Sequence, residues 1–463
     1  MSRRISNINK ILFILTISLL ATLLETQTLV LCESQQKSLE TQVKDALKSS
    51  LEHIILQLDE DGVAVGFGDK GIRATARLGL IVGYIHLGLG DDESLKLLNK
   101  ISKALSRYSS SLDELIKDRN ERFLVEQSLL EFSVINYGLT GSPDAKRILL
   151  QSCEYFVDNL GWSPVTACST YLLYSADISH ISGGKINRND VEDSLKEIKE
   201  RYMEFINYTA WGGRNLAYGL KILSTGLRAA SISNINLPVE VAALWEVHLN
   251  YSIQYLKQVR ELSVEESEMF LEALVSALET SYPTKLRDES IEVSESLARK
   301  LLEVWTAGGR IILQGRNSIS YLIYNPVLNY SEITEISYRF PKLRVYDLDL
   351  PIILERLSRI DGVKDPEKYK EASLTAVSTV SSSKPYFKVI DEEVMPMQDI
   401  VDKIISIRFL ATWYALEKLN IAPPSQIAIM FSGPSYIVLT FSSIFLLALL
   451  FLHRIGKLIR EEE

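Results

Sequence analysis

IRATARLGLIVGYIHLGL, residues 72–89, is the stretch whose reading sets the fold. Ala74, Ala76, Gly79 and Gly83 stand among leucines, isoleucines and a valine, so nearly every side of a helix here is small or apolar. A helix that is apolar all round has to be covered on several sides. Its small residues let those neighbours come close, and it reads as an interior helix. The segment before it reads differently. From Lys37 to Leu58, Leu39, Val43, Ala46, Ser50, Ile54 and Leu58 recur at steps of three and four, while Lys44, Asp45 and Lys48 fall on the wet side. That pattern is a helix with one buried face. A one-faced helix, a Gly-rich loop and an all-apolar helix make a hairpin with an outer and an inner arm.

The same alternation continues. Asp91 or Asp92 can cap a helix to Tyr108, and Arg119 to Leu139 forms the next. Gly141-Ser142-Pro143 ends that one and starts another, with proline in the first turn. Ser163-Pro164 repeats the signal, and Asn189 or Asp190 opens a helix to Ile206. Asn215 to Ser231 is a second small-residue helix, with Ala217, Gly219 and Gly226. Further helices start at Leu237-Pro238, Ser263 and Asp288, the last ending at Trp305. Helical pairs recur at roughly 40 to 49 residues, the spacing of stacked helical hairpins. Two kinds of helix in alternation predict two concentric layers closed into a ring over residues 35–307, with an open α-solenoid as the alternative.

Past Gly308 the character changes. Ile311 to Leu313, Ile319 to Tyr324 and Arg344 to Leu350 are short, β-branched or aromatic, and bounded by turn residues, which predicts a small β element over 308–350. Helices resume over 351–425. Residues 427–452 then predict a transmembrane helix, centred on the uncharged run Tyr436 to Leu452. His453, Arg454, Lys457 and Arg460 follow it, so residues 453–463 read as a cytoplasmic tail. At the other end Arg3, Arg4 and Lys10 precede an apolar core from Ile11 to Leu24, and residues 1–34 read as a signal peptide. The expectation is a single-pass protein of the cell membrane with its helical domain outside.

Composition narrows the function. Charged residues make up 24% and hydrophobic ones 46%, a globular balance. The formal net charge is -9, and no basic block lies between the termini, which argues against nucleic acid. Sequence motifs for zinc hydrolases, serine esterases and phosphate-binding loops are missing, and no metal or cofactor is expected. Cys153 and Cys168 either bridge across the turn at Gly161-Trp162-Ser163-Pro164 or pack as small hydrophobes on adjacent helices. Asn207, Asn250 and Asn329 each begin a glycosylation triplet.

The richest chemistry is the loop DEDGVAVGFGDKG, residues 59–71. Asp61 and Asp69 are the candidate acid and base, because two carboxylates held apart can work on a glycosidic bond. Phe67 is a candidate platform for a sugar face. The plainer reading is an acidic surface turn. Trp162 and Trp211 sit at Gly-rich helix junctions and offer further platforms, and Arg214 can pair with a ligand carboxylate. Trp305 to Arg310 (WTAGGR) looks like a third such junction. Asp177 precedes His180 by three residues and can orient it as a base.

Asp61-Gly62, Gly66-Phe67-Gly68 and the helix start Ala74-Thr75-Ala76-Arg77-Leu78 resemble a hairpin of the α/α-toroid proteins. That group includes six-hairpin glycosidases, polysaccharide lyases and terpenoid-cyclase-like folds. The resemblance implies an all-α toroid and a loop-lined mouth that binds or processes envelope or extracellular carbohydrate. The Asp-x-Asp-Asp motif of the cyclases is absent, and no named family's catalytic carboxylates stand out. The alternative is a non-catalytic envelope scaffold or accessory subunit that docks a protein partner.

Overall fold

A computed structural model describes residues 39–67, 70–109, 111–160, 168–182, 187–209, 213–259, 262, 264–280, 282–313, 349–382 and 397–419. The first hairpin is α1 (39–55) and α2 (Gly71–Leu89). The second is α3 (Asp92–Ser109), a single turn α4 (Leu112–Leu115) and α5 (Arg119–Thr140). Then come α6 (Pro143–Leu160) with α7 (Thr170–Ile181), and α8 (Arg188–Glu200) and α9 (Tyr202–Thr209) with α10 (Gly213–Ile232). The series ends with α11 (Val239–Gln258) and α12 (Val264–Leu278), α13 (Arg287–Leu313) and α14 (Asp349–Ser358), and α15 (Pro366–Ser382) and α16 (Met397–Leu419).

Local chemistry fixes the ends. The Asp118 side chain accepts from the Glu121 N–H at 2.7 Å and caps α5, and Gly141 (φ 64°) closes it by donating to the Tyr137 carbonyl. Cys153 and Cys168 are joined by a disulfide with their Cα atoms 5.7 Å apart, so the body of α6 is tied to the turn that leads into α7.

The packing order defines two layers. α2 packs on α5, α5 on α7, α7 on α10, α10 on α12, α12 on α14 and α14 on α16, and α16 returns to α2. Among the described residues the inner layer is therefore a closed circuit of seven helices, and α3, α6, α8, α11, α13 and α15 pack outside it. The small residues of α2 serve this. A Cβ on Gly79 would stand 2.7 Å from the Phe132 ring, and one on Gly83 would stand 2.6 Å from Ile135, both on α5. Aliphatic residues of the inner helices such as Ile81, Ile85, Leu220 and Leu274 are fully buried in one continuous core.

Several expectations are corrected. The described residues form helices, with no strand beyond an isolated bridge between Leu58 and Ala64. The small β element fails at both ends: α13 continues through Gly308 to Leu313, and Asp349 and Leu350 open α14. An apolar run that follows an established helix extends it at one hydrogen bond per residue, which overrides local β preference. For the same reason Trp305 to Arg310 is helical and not a junction. Residues 314–348 lie outside the described residues.

The fold class is corrected in a second respect: the described residues are all helical and include no membrane helix. No helix among the described residues is long and apolar enough to cross a membrane. Even the apolar α2 carries Arg73 and Arg77, which pair with Glu121 and Glu131 of α5. The run at 427–452 belongs to a separate unit, Asn420–Glu463, which lies outside the described residues, as does the signal segment 1–34.

Candidate ligand-binding site

Four neighbouring inner helices carry charged side chains that meet one another. The outer helices and the two neighbours in the circuit cover the other sides of each inner helix, so what remains faces the middle. On α7, α10, α12 and α14 this surface carries one linked set of charges. Arg356 donates from Nε to Glu279 Oε1 at 2.8 Å and from Nη2 to Glu279 Oε2 at 2.7 Å, a two-pronged pair. It also donates to Ser276 Oγ at 2.9 Å. Arg228 bridges Glu279 and Asp177, the latter at 2.6 Å. Lys221 pairs with Glu272 at 2.7 Å and lies 5.4 Å from the centre of the Tyr174 ring.

The spacing explains how the set assembles. Asp177, Arg228 and Glu279 are each 51 residues apart and alternate in sign. On α10 and α12, Lys221 and Arg228 match Glu272 and Glu279, both pairs seven residues apart on one helix face. Neighbouring inner helices thus run in the same direction, with opposite charges at the same height.

Electrostatics keeps these groups ionised. Burial pushes the Glu279 carboxyl up, but the Arg356 and Arg228 guanidiniums outweigh it and hold it at about 2. Glu272 is likewise lowered, its burial outweighed by Lys221 and Arg356. A carboxyl that stays ionised at neutral pH is no proton donor, so neither group suits general-acid work. Burial and the nearby Glu272 charge push the Tyr174 phenol well above its ordinary value, which keeps it a protonated donor. Its ring stands edge-on to Tyr171, 6.4 Å between centres. The set is not sealed: the Lys221 and Glu272 side chains keep 30% and 29% of their surface exposed.

The predicted site residues that are described lie in three places: the acidic loop, the first turn of α10, and the exposed faces of α9 and α11. Asp59, not Asp61, organises the acidic loop: its Oδ1 accepts from the N–H groups of Asp61 (2.9 Å) and Val63 (2.8 Å). Gly62 turns the chain there with φ 83° against Lys100 of α3. Asp61 itself is exposed, and Phe67 is half-buried against the core. Asp69, Trp162, Trp211 and Asn329 lie outside the described residues. Arg214 is exposed in the first turn of α10, on the same face as Lys221 and Arg228. Asn207 and Asn250 are exposed on α9 and α11. Asp177 pairs with Arg228.

Sequence reasoning missed Tyr174, Lys221, Glu272, Glu279 and Arg356. The available signal was the matched seven-residue spacing of opposite charges inside two mostly apolar helices. A second polar cluster, Tyr137 with Asp190, Asn187 and Lys146, ties α5 to α8, where burial and Asp190 push the Tyr137 phenol up to about 12. No cluster of metal-ligating side chains occurs among the described residues.

Compared with known proteins, the chain matches no family model, no curated protein and no solved structure. Its class therefore rests on architecture: an all-helical protein of layered helical hairpins.

Proposed function

We propose that this chain binds a hydroxyl-rich ligand of the carbohydrate class on the central face of its inner helices, and that it binds without cleaving. The observation that carries this reading is the accessible Lys221–Glu272 pair beside the Tyr171 and Tyr174 rings. Paired planar and charged side chains offer several donors and acceptors at fixed angles, which suits vicinal hydroxyls, and tyrosine faces cover apolar sugar faces. Buried ion pairs are a poor route to stability, since well-packed apolar residues do as well or better. A chain that keeps six linked charges on its inner face supports a role in recognition. The closed circuit supports a grouping with the α/α toroids, although seven inner helices among the described residues depart from the six-hairpin glycosidases. The Cys153–Cys168 bridge supports work in an oxidising compartment.

The test is a glycan array followed by calorimetry on the purified full chain, with Tyr174→Ala and Glu272→Gln beside it. Binding of a glycan that weakens at least about tenfold in both variants is the expected result. A chain that binds no glycan, or binds one unchanged in both variants, overturns the reading. Detectable hydrolysis of the glycan would overturn the non-catalytic part.

A further inference from the structure

A cleft of about 690 Å³ lies at the seam where α16 meets the first hairpin, lined by Lys44, Lys48, Leu51 and Glu52 of α1, Leu89 to Asp91 and Glu93 of the α2–α3 turn, and Tyr414 and Lys418 of α16. Its size is that of a small-molecule site. Lys44 and Lys48 are one helical turn apart and share a face. Among the described residues neither forms an ion pair, although Glu52 stands a turn beyond Lys48. Lys418 is engaged with neutral partners: it lies 4.3 Å from the centre of the Tyr414 ring and donates to the Gly88 carbonyl.

The acidic groups here are Glu52, Asp91 and Glu93 on the lining, and Glu40, whose charge reaches Tyr414. Asp91 Oδ1 accepts from the Ser94 N–H at 2.8 Å as the cap of α3, and Glu52 and Glu93 are exposed, as are Lys44, Lys48 and Lys418, so solvent screens both signs. At the Lys418 ammonium, burial and then Lys44 lower its proton affinity, and the opposing pull of Asp91 is smaller. At Lys418 the repulsion from Lys44 thus exceeds the pull of Asp91, and an anion between the two ammonium groups would relieve it. Leu51, Leu89 and Tyr414 supply an apolar wall, and a Cβ placed on Gly90 would meet nothing within 4 Å.

We propose that this cleft binds a small organic phosphate, with Lys44, Lys48 and Lys418 around the phosphate and Leu51, Leu89 and Tyr414 against its apolar part. Ammonium groups are compact point charges, which suit a tetrahedral dianion approached from two helices, whereas a planar carboxylate is better matched by a guanidinium fork. A ligand seated across α1 and α16 also fastens the closure of the inner circuit, so binding raises the melting temperature.

The experiment measures thermal shift and calorimetric binding of inorganic phosphate, phenyl phosphate and benzoate to the full chain and to Lys44→Gln/Lys48→Gln. Both substitutions are on exposed positions of α1, so the variant keeps its unliganded melting temperature; Lys418 is left in place because it also caps α2. Phenyl phosphate should bind more tightly than phosphate or benzoate, and at least about tenfold more weakly to the double variant. No saturable binding of either phosphate, or equal binding to the double variant, overturns the proposal. Benzoate binding as tightly as phenyl phosphate overturns the assignment to phosphate.

Discussion

Lys418 donates from Nζ to the main-chain carbonyl of Gly88 at 2.6 Å, although 330 residues separate them. The contact joins the last inner helix to the first. It satisfies a carbonyl at the C-terminus of α2, where the helix dipole also favours a cation.

The seam is close-packed beside that contact. A Cβ on Gly88 would stand 3.0 Å from Leu47 Cδ1 and 3.3 Å from the Ala411 Cα. Gly88→Val should therefore lower unfolding stability by about 1–3 kcal/mol, because the backbone of α16 has to yield. Gly71→Ala on the same helix, with nothing within 4 Å of the new methyl, should be near neutral. Urea midpoints compare the two, and equal midpoints would mean that the circuit is not closed at this point.

Acid should loosen the inner charge set in a defined window. The folded Glu279 carboxyl sits at about 2 against an ordinary 4.5, so its contribution is present above pH 4.5 and is lost as pH falls towards 2. The shift corresponds to about 3 kcal/mol. Melting temperature against pH should show a slope in that window for the native chain. Glu279→Gln should flatten it and lower stability at neutral pH. A variant with an unchanged slope would assign the acid sensitivity to other carboxylates.

Arg356 touches Glu279, Glu272 and Ser276 at once, so it should matter more than any one of its partners. Arg356→Met takes from Glu279 its two-pronged partner and leaves it only Arg228, which should cost about 3 kcal/mol. A double-mutant cycle with Glu279→Gln should recover part of that loss. Full additivity in the denaturation data would show that the two residues do not interact.

Breaking the Cys153–Cys168 bridge opens a loop of sequence separation 15. Replacing both cysteines with alanine should lower stability by about 3 kcal/mol, chiefly by freeing the unfolded chain. Thiol reductant should shift the native midpoint to that of the variant and leave the variant unmoved. A native midpoint insensitive to reductant would contradict the bond.

Within the acidic loop two neighbouring aspartates should behave differently. Asp59→Ala removes the acceptor of two main-chain N–H groups and should cost about 1 kcal/mol. Asp61→Asn changes an exposed side chain and should leave both stability and any glycan binding unchanged. Lost binding in the Asp61 variant would return the site to this loop.

What the sequence determined by itself was local. Helix starts at Pro143 and beside Pro238, the end at Gly141, the one-faced α1 and the all-apolar α2 could be read because hydrogen bonds within a helix and its 3.6-residue period involve residues close in the chain. The role of the small residues in α2 was legible too, since close approach needs them wherever the neighbour comes from. Past Gly308, local β-branched character misled, because the end of a helix depends on whether the preceding turns continue. Only the tertiary structure decided that α16 returns to α2 and that Asp177, Arg228, Glu279 and Arg356 meet. Those pairings join residues 51 to 330 positions apart. Their partners are chosen by how the helices pack, and charge signs along the chain carry that choice only once the order of the helices around the centre is fixed.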